Sequence, residues 1–326
     1  MSKNILSVSH LSKTFSLEAG FFSRNKKTVY AVNDVSFDIE KGSTYGIVGE
    51  SGCGKTTTAR LIVQMYKQTS GQVVFYDQND EYEVSKLSKK QLKEYREKVK
   101  YVFQDPSRSL NPRMTVFQIL TGALKYSSRW KGRKDAWEKA CKIIEEVGLN
   151  ESDLNRRPTD FSGGQRQRIS IARGLIMEPS LLICDEVVSA LDVSIQGQII
   201  NLLEQLREKR NLSYIFITHD LKVACYFCDK IGVMYRGVLV EEGPAKDLYK
   251  SAFHPYTKLL FQGASLFKSS SNAEVKTTLE VENACPFAYR CEKACEKCRK
   301  LLPEWTDLGG GKKVRCFLAE QTGGEM

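Results

Sequence analysis

The sequence predicts an α/β fold with a mainly parallel sheet, and three observations support this fold class. Short apolar runs rich in β-branched residues alternate along most of the chain with segments of helical periodicity. A glycine-rich loop at 49–54 lies between one of these runs and a predicted helix. The chain has 326 residues, 41% hydrophobic and 27% charged, which is ordinary globular composition. Strands that alternate with helices favour parallel pairing with right-handed crossovers.

The elements follow in order from this periodicity. Five strands are predicted in the first part of the chain, at 5–11, 31–39, 45–48, 72–76 and 99–103. A helix follows the third strand, and a charged helix covers 88–98. Between 115 and 149 the apolar spacing becomes helical, as at Phe117, Leu120 and Leu124, which predicts a helical insertion.

The second part of the chain returns to alternation. It predicts a helix at 163–177, a strand at 181–184, a helix at 195–210, a strand at 214–217 and a hairpin at 231–240. The serine-rich segment 265–272 is predicted to be a linker before a cysteine-rich tail. We therefore expect a large α/β domain at 1–250, with a helical subdomain at about 105–178, and a C-terminal extension at 251–326.

Composition excludes several classes of protein. No apolar run approaches the roughly 20 residues that span a bilayer, and the N-terminus lacks the apolar core of a signal peptide. A peripheral protein on the cytoplasmic side is expected. The net charge of +10 is compatible with nucleic acid, with an anionic membrane surface or with solvated lysines. Ten cysteines in a reducing compartment argue against disulfides.

A phosphate-binding loop is predicted where strand 45–48 meets the next helix. It reads Gly49, Glu50, Ser51, Gly52, Cys53, Gly54, Lys55 and Thr56, followed by Thr57. Glycines let successive N–H groups surround an anion, and the helix N-terminus adds a positive dipole end. Lys55 would reach the β- and γ-phosphates, and the Thr56 hydroxyl would be a Mg²⁺ ligand.

Two carboxylates at the end of a strand complement this loop. Asp185 and Glu186 follow the apolar run 181–184, and we expect that strand to lie beside the phosphate-loop strand. Asp185 would then hold Mg²⁺ through water, and Glu186 would polarise the attacking water. Two acids at this place are also compatible with a simple helix N-cap.

A second glycine pair lies at a helix start. Ser162 and Gln165 fit the capping-box pattern, which accounts for those two residues alone. Gly163 and Gly164 are not needed for a cap and cost roughly 1 kcal/mol each within a helix. Bare backbone at a helix N-terminus suits the close approach of a phosphate.

These motifs, in this order, resemble the nucleotide-binding domain of ABC transporters over about residues 5–248. The resemblance implies a P-loop NTPase fold, ATP and Mg²⁺. It identifies 49–56 as Walker A, 181–185 as Walker B, 161–165 as the signature and 189–192 as the D-loop. It implies a catalytic role for Glu186 and His219 and for the Q-loop glutamine, Gln104, which senses Mg²⁺. Phe15 would stack on adenine, with Tyr30 as a substitute.

The D-loop region 188–196 and the segment 254–260 resemble the oligopeptide, dipeptide and nickel importers. Within that group, residues 31–37 and 183–186 resemble the F-type ATPase subunit more than the D-type. The tail resembles the cysteine pattern by which peptide-importer ATPases hold a 4Fe–4S cluster. The ligands implied are Cys285, Cys291, Cys298 and Cys316, with Cys295 spare. Zinc is an alternative, because four thiolates form a tetrahedral site equally well. A tail without metal is the third possibility.

The resemblance implies an ATPase that powers peptide uptake. Its expected partners are a second ABC ATPase subunit in a heterodimer, two permease subunits and an extracytoplasmic substrate-binding protein. Nickel import and export are alternatives, because the cargo does not touch this subunit. A ribosome-associated or nucleic-acid-binding ATPase is less compatible, since such proteins usually carry two ATPase domains in one chain. We find one Walker A and one signature, and expect no nucleic acid.

Overall fold

The computed structural model describes residues 3–17, 27–77, 80–262 and 284–322; the predicted linker at 265–272 lies outside them. It confirms the α/β fold class. The strands are β1 (Asn4–Leu17), β2 (Lys27–Glu40), β3 (Thr44–Val48), β4 (Ser70–Asp77), β5 (Asp80–Glu83), β6 (Val99–Val102), β7 (Leu181–Asp185), β8 (Ser213–Thr218), β9 (Lys230–Tyr235), β10 (Val238–Pro244), β11 (Thr306–Gly309) and β12 (Lys312–Val314). The helices are α1 (Lys55–Ile62), α2 (Lys89–Lys98), α3 (Pro106–Ser109), α4 (Val116–Thr121), α5 (Arg133–Glu146), α6 (Gly163–Leu175), α7 (Val193–Arg210), α8 (Leu221–Phe227), α9 (Ala245–Ser251), α10 (Pro255–Gln262), α11 (Glu296–Lys300) and α12 (Phe317–Thr322).

A large sheet forms the centre of the fold. Among the described residues its strand order is β11-β12-β10-β9-β3-β8-β7-β6. The strands from β9 to β6 pair in parallel. Every residue of β3, β7 and β8 is buried, as expected for parallel strands covered by helices on both faces.

The order of these strands corrects one expectation from the sequence. The strand that ends in Asp185 does not lie beside the phosphate-loop strand, because β8 is inserted between β3 and β7. Helix α1 bridges the gap, since it contacts both β8 and β7. Side chains from the first turn of α1 can therefore still reach the carboxyl end of β7.

The N-terminal strands form a second sheet that the alternation of strands and helices did not predict. Its order is β2-β1-β4-β5, and all its pairs are antiparallel. Antiparallel sheets commonly bury one face only. The strands β1 and β2 show this pattern, because Leu6 and Val8 are buried on β1 while Phe37 and Ile39 are buried on β2.

The predicted helical insertion is present as α3 to α6. Thr115 caps α4 and Ser162 caps α6, each through a capping box with a glutamine three residues later. The apolar faces of these helices share a core with the large sheet, to which Leu120 and Ile144 contribute. These helices therefore extend the core of the large sheet.

The C-terminal extension packs directly on the domain that contains the large sheet. Strand β12 pairs with β10 in antiparallel register, with Val314 opposite Glu241. Tyr256 of α10 and Phe287 of the cysteine-rich segment are both buried in the main core. Within the described residues, no helix combines the length and the apolar character needed to cross a membrane.

Candidate nucleotide-binding site

The glycine-rich loop runs from the end of β3 into α1 along a path that only glycine allows at two positions. A Cβ at Gly49 would lie 2.1 Å from the carbonyl oxygen of Met234. Gly54, with φ of +112°, would place a Cβ 2.3 Å from the carbonyl oxygen of Ala31. The loop is thus pressed against β9 and β2, while Ser51 and Gly52 are exposed at its tip and Cys53 is buried beneath it.

Lys55 is held at the base of this loop. Its side chain is only 4% exposed, and its Nζ donates hydrogen bonds to the carbonyl oxygens of Gly49 (2.7 Å) and Glu50 (2.9 Å). The same Nζ lies 3.8 Å from Oε1 of Glu186. The ammonium group is therefore already inside the curve of the loop, where a phosphate would meet it.

Thr56 and Asp185 meet across β8. The Thr56 hydroxyl donates to Asp185 Oδ2 at 3.0 Å, and the Tyr101 hydroxyl donates to the same oxygen. Burial raises the pKa of Asp185 above its ordinary value, as does the neighbouring Glu186 charge, while the two hydroxyl donors lower it. A hydroxyl beside a carboxylate is an oxygen donor set of the kind that Mg²⁺ prefers.

Glu186 lies at the centre of the predicted catalytic residues. Its Oε2 accepts a hydrogen bond from Gln104 Nε2 at 2.8 Å, and its Oε1 lies 3.7 Å from His219 Nδ1. The backbone at Glu186 has φ of +49°, and its N–H donates to the carbonyl oxygen of Ile217 on β8. A positive φ at a non-glycine residue is strained and is found preferentially at functional sites.

Phe15 lies near the loop but is not free on all sides. It pairs with Val29 on β2, two residues before the Ala31 carbonyl that touches the loop. Its ring meets Tyr66 edge-on at 5.6 Å, and the Lys13 ammonium lies 5.0 Å from its centroid. The ring is therefore placed at the side of the site, and its contact with adenine stays a prediction.

The signature residues occupy a different part of the domain. Ser162 and Gln165 form the predicted reciprocal cap, with Gln165 N–H to Ser162 Oγ at 3.3 Å and Ser162 N–H to Gln165 Oε1 at 2.9 Å. Gly163 packs toward Leu191, and a Cβ at Gly164 would lie 2.7 Å from Ile195. The structure thus brings the loop, Gln104, Asp185, Glu186 and His219 together, while the signature stands beside the D-loop and α7.

Three contacts of the site were not predicted from sequence. Tyr101 donates to Asp185, the Tyr256 hydroxyl accepts from the Glu50 N–H at 2.9 Å, and Arg290 pairs with the Glu50 carboxylate. Tyr256 and Arg290 are more than 200 positions from Glu50, so no local pattern connects them. Tyr101 precedes Gln104 by three residues, which was the one available sequence signal.

The predicted cysteine ligands are neighbours in the extension. Burial, together with the nearby thiols of Cys298, Cys316 and Cys291, raises the pKa of Cys285 to about 12. Cys295 and Cys298 have their sulfurs 3.4 Å apart. In the described part of the chain, no three His, Cys, Asp or Glu side chains converge in the geometry of a metal site. The donor chemistry suits a thiolate-bound group, whereas a closed tetrahedral arrangement is not formed.

Comparison with known families agrees with the motifs. The family model described as "ABC transporter" matches residues 32–189, and the model described as "Oligopeptide/dipeptide transporter, C-terminal region" matches residues 240–298. The first model spans the phosphate loop and both carboxylates. The second includes Tyr256, Arg290 and three of the four predicted cysteine ligands.

Curated relatives are similar over most of the chain. The oligopeptide transport ATP-binding protein OppF of Bacillus subtilis is 47% identical, over 82% of this chain and 84% of the relative. AppF of the same species is 40% identical over 97% of this chain and 98% of the relative. The dipeptide transport ATP-binding protein DppF of Haemophilus influenzae is 38% identical over 96% of each.

Solved structures show the same architecture. CbiO1 of Clostridium perfringens, part of the ABC transporter complex cbiONQ, superposes with a TM-score of 0.65 at 25% identity, covering 77% of this chain and 92% of that one. The dimeric ATP-binding cassette MJ0796, bound to ADP and Pi, gives 0.63 at 28% identity, covering 74% and 98%. With a phosphate loop, paired carboxylates and signature in one fold, the chain belongs to the ABC transporter family, among the ATP-binding proteins related to OppF, AppF and DppF.

Proposed function

We propose that this chain is the ATP-hydrolysing subunit of an importer for oligopeptides or dipeptides. The observation that carries the proposal is the convergence of Lys55, Asp185 and Glu186 at the carboxyl ends of β3 and β7. The names of the curated relatives support the cargo class, because they are oligopeptide and dipeptide transport ATP-binding proteins.

The geometry supports a separate role for each of these residues at the γ-phosphate. Lys55 would exchange its two carbonyl partners for phosphate oxygens when ATP enters the loop. Mg²⁺ at Thr56 and Asp185 would neutralise charge on the β- and γ-phosphates. Glu186, oriented by Gln104, would accept the proton of the water that attacks the γ-phosphorus, and the bond to the β–γ bridging oxygen would break. His219, whose Nδ1 lies 3.7 Å from Glu186 Oε1, would also bind the γ-phosphate.

The site is complete only in a dimer. Ser162, Gly163 and Gly164 would present a helix N-terminus to the γ-phosphate held by a second ATPase subunit. Such closure is compatible with Val193, which is 84% exposed beside the D-loop. The relative MJ0796 is described as a dimer, which supports this arrangement. We propose a heterodimer, with Phe15 stacking on the adenine.

The remaining partners follow from the importer proposal. Two permease subunits would receive the motion of the helical subdomain, about 105–178, and of the Q-loop at Gln104 when the dimer closes. An extracytoplasmic substrate-binding protein would deliver the peptide, and the chain would be peripheral at the cytoplasmic face of the membrane. We propose no nucleic-acid partner, and place the boundary between ATPase domain and extension at 250/251.

The test of the catalytic assignment is Glu186→Gln. The amide keeps the hydrogen bond to Gln104 but cannot accept the proton, so ATP turnover should fall by at least about 10²-fold while ATP binding persists. Reconstituted complex in liposomes should lose ATP-driven peptide uptake in parallel. Substantial residual ATP hydrolysis would contradict the role assigned to Glu186. Uptake of nickel instead of peptide would contradict the proposed cargo.

We also propose that Cys285, Cys291, Cys298 and Cys316 hold a 4Fe–4S cluster, with zinc as the alternative. Support comes from the mutual influence of these thiols and from the four-cysteine ligation that such clusters require. Anaerobic purification followed by visible absorption and by iron, sulfide and zinc analysis distinguishes the two. Replacement of all four by serine should abolish the metal, whereas Cys295→Ser should keep it. A chain purified without bound metal would contradict both assignments.

A further inference from the structure

Arg290 connects the cysteine-rich segment of the extension directly to the phosphate loop. We propose that Arg290 is a positioning residue of the nucleotide site, which holds the loop in its phosphate-binding conformation through Glu50. The proposal rests on the proposed ATPase function and assigns a task to the extension within it. Arg290 lies 240 positions from Glu50, and it acts through that residue without touching the nucleotide.

The contact has the geometry of a specific ion pair. Arg290 Nη1 lies 3.0 Å from Glu50 Oε2 and its Nη2 lies 3.1 Å from Oε1. Two parallel N–H donors on one carboxylate form the bidentate arrangement that fixes orientation as well as distance. Both side chains are about one-third exposed, so the pair positions the loop more than it stabilises the fold.

An aromatic cluster keeps the arginine in place. Arg290 Nη1 also donates to the Tyr235 hydroxyl at 3.3 Å, and the guanidinium lies 5.8 Å from the Phe287 centroid. Tyr235 packs on Tyr256 at 4.6 Å between ring centroids and on Phe287 at 5.3 Å. Because these three rings are buried, the guanidinium is held on a rigid support.

The same aromatic cluster also hydrogen-bonds the backbone of the loop. The Tyr256 hydroxyl accepts the Glu50 N–H at 2.9 Å, while the Glu50 carbonyl accepts from Lys55 Nζ at 2.9 Å. One residue is thus held by its side chain, its N–H and its carbonyl. A loop fixed before ATP arrives loses less conformational entropy on binding. Loosening Glu50 should therefore weaken ATP binding and leave the chemical step largely unchanged.

A second arginine attaches the extension elsewhere on the domain. Arg315 is buried, hydrogen-bonds Asp34 on β2 and lies over the Trp305 ring. Arg290 and Arg315 each precede a predicted metal ligand, Cys291 and Cys316. Arg290 and Arg315 thus both attach the extension to the nucleotide-binding domain.

The experiment measures nucleotide affinity and turnover separately. The Kd of the full chain for a fluorescent ATP analogue with Mg²⁺ is determined for wild type, Arg290→Met and the control Lys300→Met. Lys300 lies in the same extension and pairs with the exposed Glu296. Arg290→Met should raise Kd about two- to fivefold, as expected for a partly exposed ion pair. In the reconstituted complex, KM for ATP should rise while kcat stays within about twofold.

A double-mutant cycle tests whether the effect passes through Glu50. In a Glu50→Gln background, Arg290→Met should change Kd by less than about 1.5-fold, because the ion pair is already absent. Arg290→Lys should restore only part of the affinity, since an ammonium cannot bind both carboxylate oxygens in this way.

Several results would overturn the proposal. Unchanged Kd and KM in Arg290→Met, a fall in kcat alone, or equal effects of Arg290→Met in the two backgrounds each contradict it. If Arg290→Met does not fold, as judged by circular dichroism, Glu50→Gln carries the test and must raise Kd by itself. Failure of the proposed function is seen separately, as wild-type complex that binds ATP without hydrolysis or peptide uptake. A wild-type chain that binds no nucleotide overturns both.

Discussion

His254 should make the stability of this protein depend on pH in a way that one substitution removes. The imidazole is 1% exposed, and its Nδ1 accepts a hydrogen bond from the Tyr256 N–H at 3.1 Å, just before α10. Burial lowers the pKa of His254 from 6.5 to about 3. The folded chain therefore keeps a neutral ring over a range in which the unfolded chain binds a proton.

The direction and size of the change in stability with pH follow from the difference between the folded and unfolded pKa of His254. The unfolded state binds the additional proton below pH 6.5, so stability falls as pH decreases through the window from 6.5 to about 3. At one pH unit below the unfolded pKa, the loss is about 1.4 kcal/mol. Glu241 accepts a hydrogen bond from the backbone N–H of His254. Burial raises the pKa of Glu241, so its titration makes the folded chain more stable as pH decreases.

The assay is urea unfolding of wild type and His254→Asn at about pH 7.5 and 5.5. Asparagine keeps a cap acceptor for the Tyr256 N–H and does not titrate. The variant should be less stable at the higher pH, because it loses ring packing, by about 1–3 kcal/mol. The difference in free energy of unfolding between wild type and variant should then decrease by about 1.3 kcal/mol at the lower pH. Since Glu241 is present in both proteins, parallel pH profiles would refute the assignment.

Two further comparisons use matched pairs of substitutions. Gly49→Ala should abolish ATP binding, because its Cβ would lie 2.1 Å from a backbone carbonyl oxygen of β9. Gly52 has open space around it and a φ of +77°, so Gly52→Ala should cost only about 1 kcal/mol of backbone strain. Equal nucleotide affinities of the two variants would contradict this prediction. Arg156→Met should lower the free energy of unfolding by about 1–3 kcal/mol, because it leaves the nearly buried Asp153 carboxylate without its 2.8 Å partner. Arg108 forms an exposed ion pair with Asp105, and Arg108→Met should lower the free energy of unfolding by less than about 1 kcal/mol. Urea denaturation measures the free energy of unfolding of both variants.

The sequence determined the nucleotide loop and the order of the motifs because these depend on local chemistry. Glycine at 49 and 54, a lysine and a threonine at the helix start, and a cap at Ser162 each act within a few residues of one another. A local pattern of this kind is visible without tertiary structure. The same holds for the buried strands, whose apolar runs predicted β3, β7 and β8 almost to their bounds.

The tertiary structure decided everything that depends on which distant segments meet. It inserted β8 between β3 and β7 and separated the antiparallel sheet from the parallel one. It also placed Arg290 on Glu50. Pairing between strands is set by the burial of whole faces, and an ion pair across 240 positions leaves no trace in local periodicity. Sequence alone therefore predicted the phosphate loop, while only the fold showed that Arg290 of the C-terminal extension contacts it.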